Sequence, residues 1–245
     1  MDDKVDIETI LRKLVTQTQS DRIVTNPADV EALQKRGVKF DEPPKRTLEE
    51  SIDLMFLQKK EGALNRAKQF PALPQMPYSI TSLYEEIITC IIFGLYGAAI
   101  TLSGILVEFA LKLSTLVREA GGYHYDPKHW DAFERITLTA AIKRAGKAGL
   151  LTDIQVKKLT RFKDEVRNPY NHYNIKKITS AVEWEKVQVV NLETGAMEEK
   201  TIAAEDDPLI QAQAKPVVDQ KRVFEIFTFA DGVTRYLLST MQRLA

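Results

Sequence analysis

The stretch that decides the fold is IITCIIFGLYGAAITLSGILV, residues 87–107, which runs for 21 residues without a charged side chain. A run of this length is long enough to cross a lipid bilayer as one helix. Three glycines and several hydroxyl residues interrupt it, and glutamates flank both ends without a cluster of cations that would orient it in a membrane. We therefore interpret it as two buried helices in series, with a membrane-spanning helix as the alternative.

Apolar residues continue this pattern on both sides at helical spacing. Upstream, a stripe repeats every three or four residues through positions 80–92, which predicts one buried face of a helix. Downstream, a second stripe runs through positions 98–117 and stops at Gly121. The sequence therefore predicts two long helices joined by a short turn or kink near Gly94.

Capping signals predict further helices around this pair. Residues 1–78 contain apolar positions at helical spacing, an Asn26-Pro27 helix start, and a capping box at residues 47–50. Asp126 and the following proline predict a helix of about twenty residues, and residues 152–155 form the capping box of the next one.

The C-terminal third of the chain predicts a small amount of β structure and one more helix. Polar and apolar residues alternate over about residues 184–204, which predicts a hairpin, and an apolar stripe at positions 223–241 predicts a closing helix. We therefore expect an all-α protein. Residues 1–78 would form an N-terminal helical extension, and residues 79–245 a helical bundle with a β-hairpin insertion.

Composition favours a protein of the reducing cytoplasm. The 34 basic and 34 acidic residues balance, so no overall field attracts nucleic acid or a membrane surface. Cys90 is the single cysteine, which excludes an intramolecular disulfide and a cysteine-rich metal site. The first residues, MDDKVDIETI, contain charges and no apolar signal core, so secretion is not expected.

The stretch EVRNPYNHYN, residues 165–174, contains the strongest candidates for chemistry. Pro169 disfavours an unbroken helix, so we expect a new helix to begin with Asn168 as its N-cap and His172 in its first turn. Free amides at such a helix start bind phosphate, and Arg167 beside it would grip two phosphate oxygens. The structural alternative is that Arg167 pairs with Glu165 or a core carboxylate while His172 is a solvated cap residue.

The spacing of Arg167, Asn168 and His172 resembles the Arg-polar-x-x-x-His motif of the HEPN superfamily, over about residues 79–178. That resemblance implies an all-α fold and the active site of a metal-independent endoribonuclease, as found in toxin-antitoxin, abortive-infection and CRISPR-associated systems. Glu108 resembles the acidic residue that many members carry on the second core helix. Members paired with a minimal nucleotidyltransferase have tyrosine two residues after the histidine, whereas Tyr173 here follows it directly.

Charge around the motif is locally basic. Residues 142–177 contain ten basic and three acidic residues, whereas residues 183–207 contain eight acidic and two basic ones. The first region predicts either an RNA-binding surface or a solvated helix face. The candidate RNA-binding residues are Lys157, Lys158, Arg161 and Lys163.

The remaining two histidines favour no metal site. His124 and His129 lie on either side of a predicted helix start and have no third ligand nearby in the sequence. Aromatic residues beside them, Tyr123, Tyr125 and Trp130, could stack on bases, and they also suit the filling of a core at a helix entrance. We expect neither a metal nor another cofactor.

The function expected from these residues is metal-independent cleavage of single-stranded or loop RNA by a homodimer. Arg167 would hold the scissile phosphate, His172 would move the proton of the 2′-hydroxyl or of the leaving oxygen, and Asn168 would orient the phosphate or the histidine. Glu108 and Tyr173 would support them. A toxin or phage-defence role would add an antitoxin or defence partner protein. The alternatives are a catalytically silent HEPN-like module that binds a nucleotide, RNA or protein, and a helical membrane protein.

Overall fold

A computed structural model describes residues 46–70, 76–123, 126–190 and 197–242, together with Glu31, Gln34 and Lys35. These residues are mostly helical and include a two-stranded antiparallel sheet, so the all-α prediction is confirmed. The helices are α1 (Leu48–Ala67), α2 (Tyr78–Ile92), α3 (Tyr96–Ala120), α4 (Pro127–Glu134), α5 (Leu138–Lys147), α6 (Asp153–Phe162), α7 (Asn168–Asn171), α8 (Ile175–Thr179) and α9 (Pro208–Gln242). The strands are β1 (Glu183–Val190) and β2 (Met197–Ala203).

The apolar stretch that decides the fold forms two helices, as predicted. Helix α2 ends at Ile92 and α3 begins at Tyr96. The turn between them places Gly94 at a φ of 69°, in the left-handed region that glycine enters without a steric penalty. The buried residues of α2 are Ile80, Tyr84, Ile87 and Ile91, which are four of the positions in the predicted stripe.

Helix α3 is the central helix of the bundle and packs against α2, α4, α5 and α9. It is the one described helix that is long and apolar enough to cross a membrane, and 67% of its most apolar window is buried inside the molecule. Its hydroxyl residues bond within the protein: Ser103 donates to the carbonyl of Ala99 at 2.8 Å, and Thr115 donates to the carbonyl of Leu111 at 2.7 Å. Such bonds allow hydroxyl groups to lie in an apolar core.

The single helix predicted after Asp126 is wrong in its length. Asp126 caps α4 as predicted, with its side chain accepting from the N–H of Lys128, but α4 ends at Glu134. Thr137 then adopts an extended backbone and caps α5 by accepting from the N–H of Ala140 at 3.3 Å. A threonine able to satisfy a free helix amide therefore divides the predicted helix into two.

The other predicted elements agree with the structure where it describes them. Both capping boxes are present, at residues 47–50 and 152–155. The hairpin predicted over about residues 184–204 is formed by β1 and β2. Residues 191–196 between the strands lie outside the described residues, as do the predicted helix signals in residues 1–30. The closing helix begins earlier than its apolar stripe, because Asp207 accepts from the first amides of α9 at 2.7 and 3.2 Å.

The chain divides into two compact units. One consists of the described residues of Asn65–Val182 and Ala203–Ala245, and it contains the helical core. The other consists of the described residues of Met1–Leu64 and Glu183–Ile202, which include most of α1 and of the hairpin. The residues of the candidate site all belong to the first unit.

Candidate active site

Two side-chain hydrogen bonds hold the guanidinium of Arg167. Its Nη2 donates to Glu108 Oε2 at 2.7 Å, and its Nη1 donates to Asn168 Oδ1 at 3.1 Å. The side chains of Arg167 and Glu108 remain 22% and 17% exposed, so the pair lies near the surface of the molecule and not in its interior. Three of the residues predicted for the site therefore lie together.

Gly104 allows Arg167 to approach α3 this closely. A Cβ atom at position 104 would lie 3.0 Å from Cγ of Arg167 and 3.4 Å from its Cβ. Gly104 precedes Glu108 by four residues, so both face the same side of α3. Helix α3 thus presents backbone without a side chain to the aliphatic part of Arg167, and a carboxylate to its guanidinium.

The cluster around Glu108 keeps one positive charge in excess. Lys112 lies 2.9 Å from the other carboxylate oxygen of Glu108, so two cations share one anion. Glu108 and Asn168 use two of the five N–H groups of Arg167, and the buried Nε has no acceptor among the described residues. Surplus charge and unused donors on a fixed guanidinium suit an anion with several oxygens, such as a phosphate.

A turn of π-helix, Lys163–Arg167, carries the chain from α6 into α7 without a break. The N–H of Asn168 donates to the carbonyl of Lys163, five residues earlier. Pro169 has no N–H for the next carbonyl in this register, that of Asp164, and the ammonium of Lys177 donates to it instead at 2.7 Å. Turns of this kind occur frequently at functional sites, because they redirect side chains within a helix.

This geometry contradicts the predicted helix start at the motif. Asn168 has helical backbone angles and is not an N-cap, because the π turn accommodates Pro169 where an α-helix would clash with it. His172 lies at the C-terminal end of α7, with its N–H donating to the carbonyl of Asn168 at 3.0 Å. A phosphate site on free helix amides beside His172 is therefore wrong. Arg167 remains as the candidate anion-binding group.

The side chain of His172 is exposed and separate from the arginine cluster. It forms no hydrogen bond or ion pair with another side chain in the described part of the chain. Four residues lie between Arg167 and His172, and five steps at roughly 100° per residue turn the two side chains toward different faces. Within one chain, the structure brings Arg167, Asn168 and Glu108 together but not His172.

A second polar cluster, which no sequence pattern predicted, fixes the middle of the motif. The hydroxyl of Tyr170 donates to Asp219 Oδ1 at 2.7 Å, and the other oxygen of Asp219 accepts from Lys215. Burial, and then the hydrogen bond to Asp219, raise the pKa of Tyr170 above its ordinary value. The four-residue spacing of Lys215 and Asp219 on α9 is a sequence signal for an ion pair, but nothing in the sequence connects that pair to Tyr170.

The predicted RNA-binding residues differ in their exposure and in the contacts that they make. Lys157, Lys158 and Arg161 are exposed on α6, and Arg161 pairs with Glu165 at 2.9 Å. Lys163 is only 14% exposed and donates to a hydroxyl on α5. Within this set, Lys157 and Lys158 have no ion-pair partner among the described residues, so they offer the more accessible charges.

The structure describes only part of the region around the other two histidines. His124 and Tyr125 lie outside the described residues, and His129 is exposed on α4. Trp130 packs edge-on against Phe109 with ring centroids 5.6 Å apart, which favours core filling over stacking on a base. Across the described ranges, no three His, Cys, Asp or Glu side chains form a group that could hold a metal ion.

Comparisons with protein-family models, curated proteins and solved structures find no match to this chain. Its function must therefore be inferred from the contacts of Arg167 and from the resemblance of the motif that contains it.

Proposed function

We propose that this protein is a metal-independent endoribonuclease in which Arg167 binds the scissile phosphate. The observation that carries the proposal is the fixed guanidinium of Arg167, held by Glu108 and Asn168 in a cluster with one surplus positive charge. A diester phosphate carries one negative charge, so it would neutralise that surplus. Unused N–H groups of Arg167 would donate to its oxygens, as charge-assisted hydrogen bonds.

The reaction uses a nucleophile that RNA itself supplies. The 2′-oxygen attacks the adjacent phosphorus, the bond from phosphorus to the 5′-oxygen breaks, and the products are a 2′,3′-cyclic phosphate and a 5′-hydroxyl. A base accepts the proton of the 2′-hydroxyl, and an acid supplies a proton to the leaving 5′-oxygen. Arg167 would stabilise the charge that develops on the phosphate oxygens.

We assign the proton transfers to His172, acting from two copies of the chain. One imidazole cannot be base and acid in the same step, and the side chain of His172 forms no hydrogen bond with Arg167 within one chain. A two-fold dimer would supply a second histidine and place it opposite the first arginine. We propose that the enzyme acts in the cytoplasm, in toxin-antitoxin or phage-defence systems, where a partner protein would restrain it.

A test uses a structured RNA with unpaired loops in the presence of excess chelator. The wild-type protein should cut it, and Arg167→Ala and His172→Ala should each lower the rate by on the order of a hundredfold or more. Arg167→Lys should restore little, because an ammonium cannot reproduce the planar guanidinium. His129→Ala is the matched control, since it removes another exposed histidine, and it should retain wild-type activity.

Three outcomes contradict parts of the assignment. Activity that persists in the His172→Ala protein removes His172 from the reaction. Activity of the wild type that disappears with chelator and returns with added metal removes the metal-independent mechanism. Light scattering of the same samples should show a dimer, and full activity of a monomer would remove the shared site.

A second candidate function is a silent module that binds RNA or a nucleotide through Arg167. The separation of His172 from Arg167 favours this second function. The ion pair between Arg167 and Glu108 also favours it, because the alternative to a catalytic role was that Arg167 pairs with a carboxylate of the core. Under this function the wild type binds RNA without cutting it, and Arg167→Ala abolishes the binding. The remaining Nη donors of Arg167 and the surplus charge are features that both functions use.

A further inference from the structure

Four helices end in the same backbone arrangement, which contains one residue with left-handed backbone angles. That residue is glycine in three of the helices and tyrosine in the fourth. At each end, the left-handed residue donates to the carbonyl three residues back, and the next N–H donates five residues back. Three of these positions are Gly94, Gly121 and Gly149, with φ values of 69°, 73° and 71°. The fourth, at the end of α7, is Tyr173 with a φ of 49°.

The backbone gives no reason for a tyrosine at this position. Tyr173 is the one residue other than glycine with a positive φ in the described ranges, and glycine would close the helix without steric strain. Strained residues persist where the surrounding structure holds them, and they cluster at functional sites. The use of Tyr173 must therefore lie in its side chain.

The ring of Tyr173 is supported on one side and open elsewhere. The ammonium of Lys215 lies over it at 5.3 Å from its centroid, within the range of a cation–π contact. Lys215 is itself held by Asp219 and lies at the same distance over the ring of Tyr170. Tyr173 nevertheless keeps 66% exposure, so the ring is held in place and still accessible.

Tyr173 lies beside the residues assigned to the reaction. It follows His172 directly, and the Lys215 ammonium over its ring lies against Gly97 on α3, seven residues or about 10 Å along that helix from Gly104, which Arg167 contacts. A nucleotide whose phosphate binds Arg167 would therefore bring a neighbouring base close to this ring. Exposed aromatic rings bind unpaired bases by stacking, without regard to base identity, since every base has a π face.

We propose that the ring of Tyr173 is a stacking platform for an unpaired nucleobase next to the phosphate bound by Arg167. This inference rests on the proposed function and deepens it, because it selects single-stranded and loop RNA over duplex RNA. Bases in a duplex are stacked on each other and cannot reach the ring. The platform does not read sequence, so cleavage should depend on accessibility more than on base identity.

The test measures binding of a short unstructured 2′-O-methyl oligoribonucleotide, which the enzyme cannot cut, by fluorescence anisotropy at fixed salt. Tyr173→Gly removes the ring and relieves the backbone strain, and it should weaken binding about tenfold. Tyr173→Trp should stay within about twofold of wild type, since it keeps a stacking surface. The matched control is Tyr78→Ala, which removes a tyrosine that is 88% exposed on α2 and should not alter binding.

Further readouts separate this platform from a merely structural role. The melting temperature of Tyr173→Gly should equal or exceed that of the wild type, so weaker binding cannot be attributed to misfolding. With cleavable loop RNA, the variant should raise KM about tenfold and leave kcat within about threefold. The same variant should bind a fully paired duplex as the wild type does.

The outcomes distinguish the platform from the function on which it rests. If the wild type cuts loop RNA and Tyr173→Gly binds and cuts it equally well, the platform is overturned and the ribonuclease remains. If the wild type neither binds the oligoribonucleotide nor cuts RNA, the ribonuclease proposal fails and the platform fails with it. Weaker binding by Tyr173→Gly to duplex and single strand alike also overturns the platform, because stacking on an unpaired base cannot produce it.

Discussion

The motif segment is tied to the core by two polar clusters that differ in how fully their groups are satisfied. At one, Arg167 meets Glu108 on α3, and the two side chains are 22% and 17% exposed. At the other, Tyr170 and Lys215 meet Asp219 on α9, and the side chains of Lys215 and Asp219 are 11% and 7% exposed. The Arg167 cluster contains a surplus cation, whereas Lys215 neutralises the charge of Asp219.

The Arg167 cluster can therefore still bind a ligand, whereas the Asp219 cluster acts as an anchor that ties the motif segment to the core. The carboxylate of Asp219 uses one oxygen for Tyr170 and the other for Lys215, so little bonding capacity is left for a ligand. The guanidinium of Arg167 keeps unused donors near solvent. We infer that the Asp219 cluster holds the segment in place, while the Arg167 cluster is available to bind a phosphate.

The largest expected effect on stability is at the anchor. Asp219→Ala leaves the buried Lys215 without its anion and should lower the free energy of unfolding by about 3–5 kcal/mol. Arg167→Ala should cost less, about 1–2 kcal/mol, because Glu108 retains Lys112 as a counterion. Urea denaturation monitored by circular dichroism measures both.

The control for that pair is Glu225→Ala, which removes an exposed carboxylate from the same helix as Asp219 and should change stability by less than about 0.5 kcal/mol. Equal losses for Asp219→Ala and Arg167→Ala would contradict the distinction between the two clusters. The effect on activity should be the reverse of the effect on stability, since Arg167→Ala should be inactive although it remains folded.

Two glycines on α3 allow the comparison to be repeated with a single methyl group. A Cβ at Gly97 would lie 2.7 Å from Asp219 Oδ2 and 3.0 Å from Lys215 Nζ, so Gly97→Ala should disturb the anchor. The crowding should outweigh the better helix propensity of alanine and leave a net loss of about 1–2 kcal/mol.

At Gly104 the same substitution would place a Cβ 3.0 Å from Cγ and 3.4 Å from Cβ of Arg167. Gly104→Ala should change stability by less than about 1 kcal/mol, because crowding against Cγ and Cβ of Arg167 opposes the gain of about 1 kcal/mol in helix propensity. The displaced guanidinium should lower RNA cleavage by roughly tenfold or more. Denaturation and cleavage assays on both variants check this, and a reversed pattern, with Gly104→Ala unstable and fully active, contradicts the assignment of roles.

The smallest expected effect is a pH dependence at the anchor. Burial and the bond to Asp219 raise the pKa of Tyr170, so its contribution to stability is complete below the unfolded pKa of about 10 and is lost as pH rises above it. Stability should fall between pH 9 and 11, and Tyr170→Phe should make that fall shallower by at most about 1.4 kcal/mol per pH unit. Tyr84, whose pKa is also raised by burial, adds to the fall and remains in the variant.

Denaturation curves at pH 9 and pH 11 test this. Tyr78→Phe is the control, because Tyr78 is exposed, and its slope should match that of the wild type. An unchanged slope in Tyr170→Phe would show that the buried phenol does not lose its proton preferentially in the unfolded chain.

Local signals in the sequence were sufficient for most helix boundaries. The capping boxes at residues 47–50 and 152–155 and the glycine at position 121 depend on contacts within one turn, so a pattern of neighbouring residues predicts them. Thr137 lies within the helix of about twenty residues predicted after Asp126, and it interrupts that helix through its own capping bond.

The local backbone of the motif could not be predicted, because distant residues determine it. Pro169 favoured a new helix start, and the π turn that replaces it is completed by Lys177, which lies beyond the motif. The family resemblance gave Glu108 as a supporting residue, but its contact with Arg167, the support of Gly104 and the anchor at Asp219 arise only when α3 and α9 pack against the segment.

The most direct test of the central claim identifies the ends of the RNA fragments that the wild-type protein produces in excess chelator. Cleavage through the 2′-hydroxyl predicts a 2′,3′-cyclic phosphate on one fragment and a 5′-hydroxyl on the other, both measurable by mass spectrometry. An RNA with a single 2′-deoxy substitution at the cut position should resist cleavage there and nowhere else. Fragments with a 3′-hydroxyl and a 5′-phosphate, or cleavage at the 2′-deoxy position, would contradict the proposed mechanism.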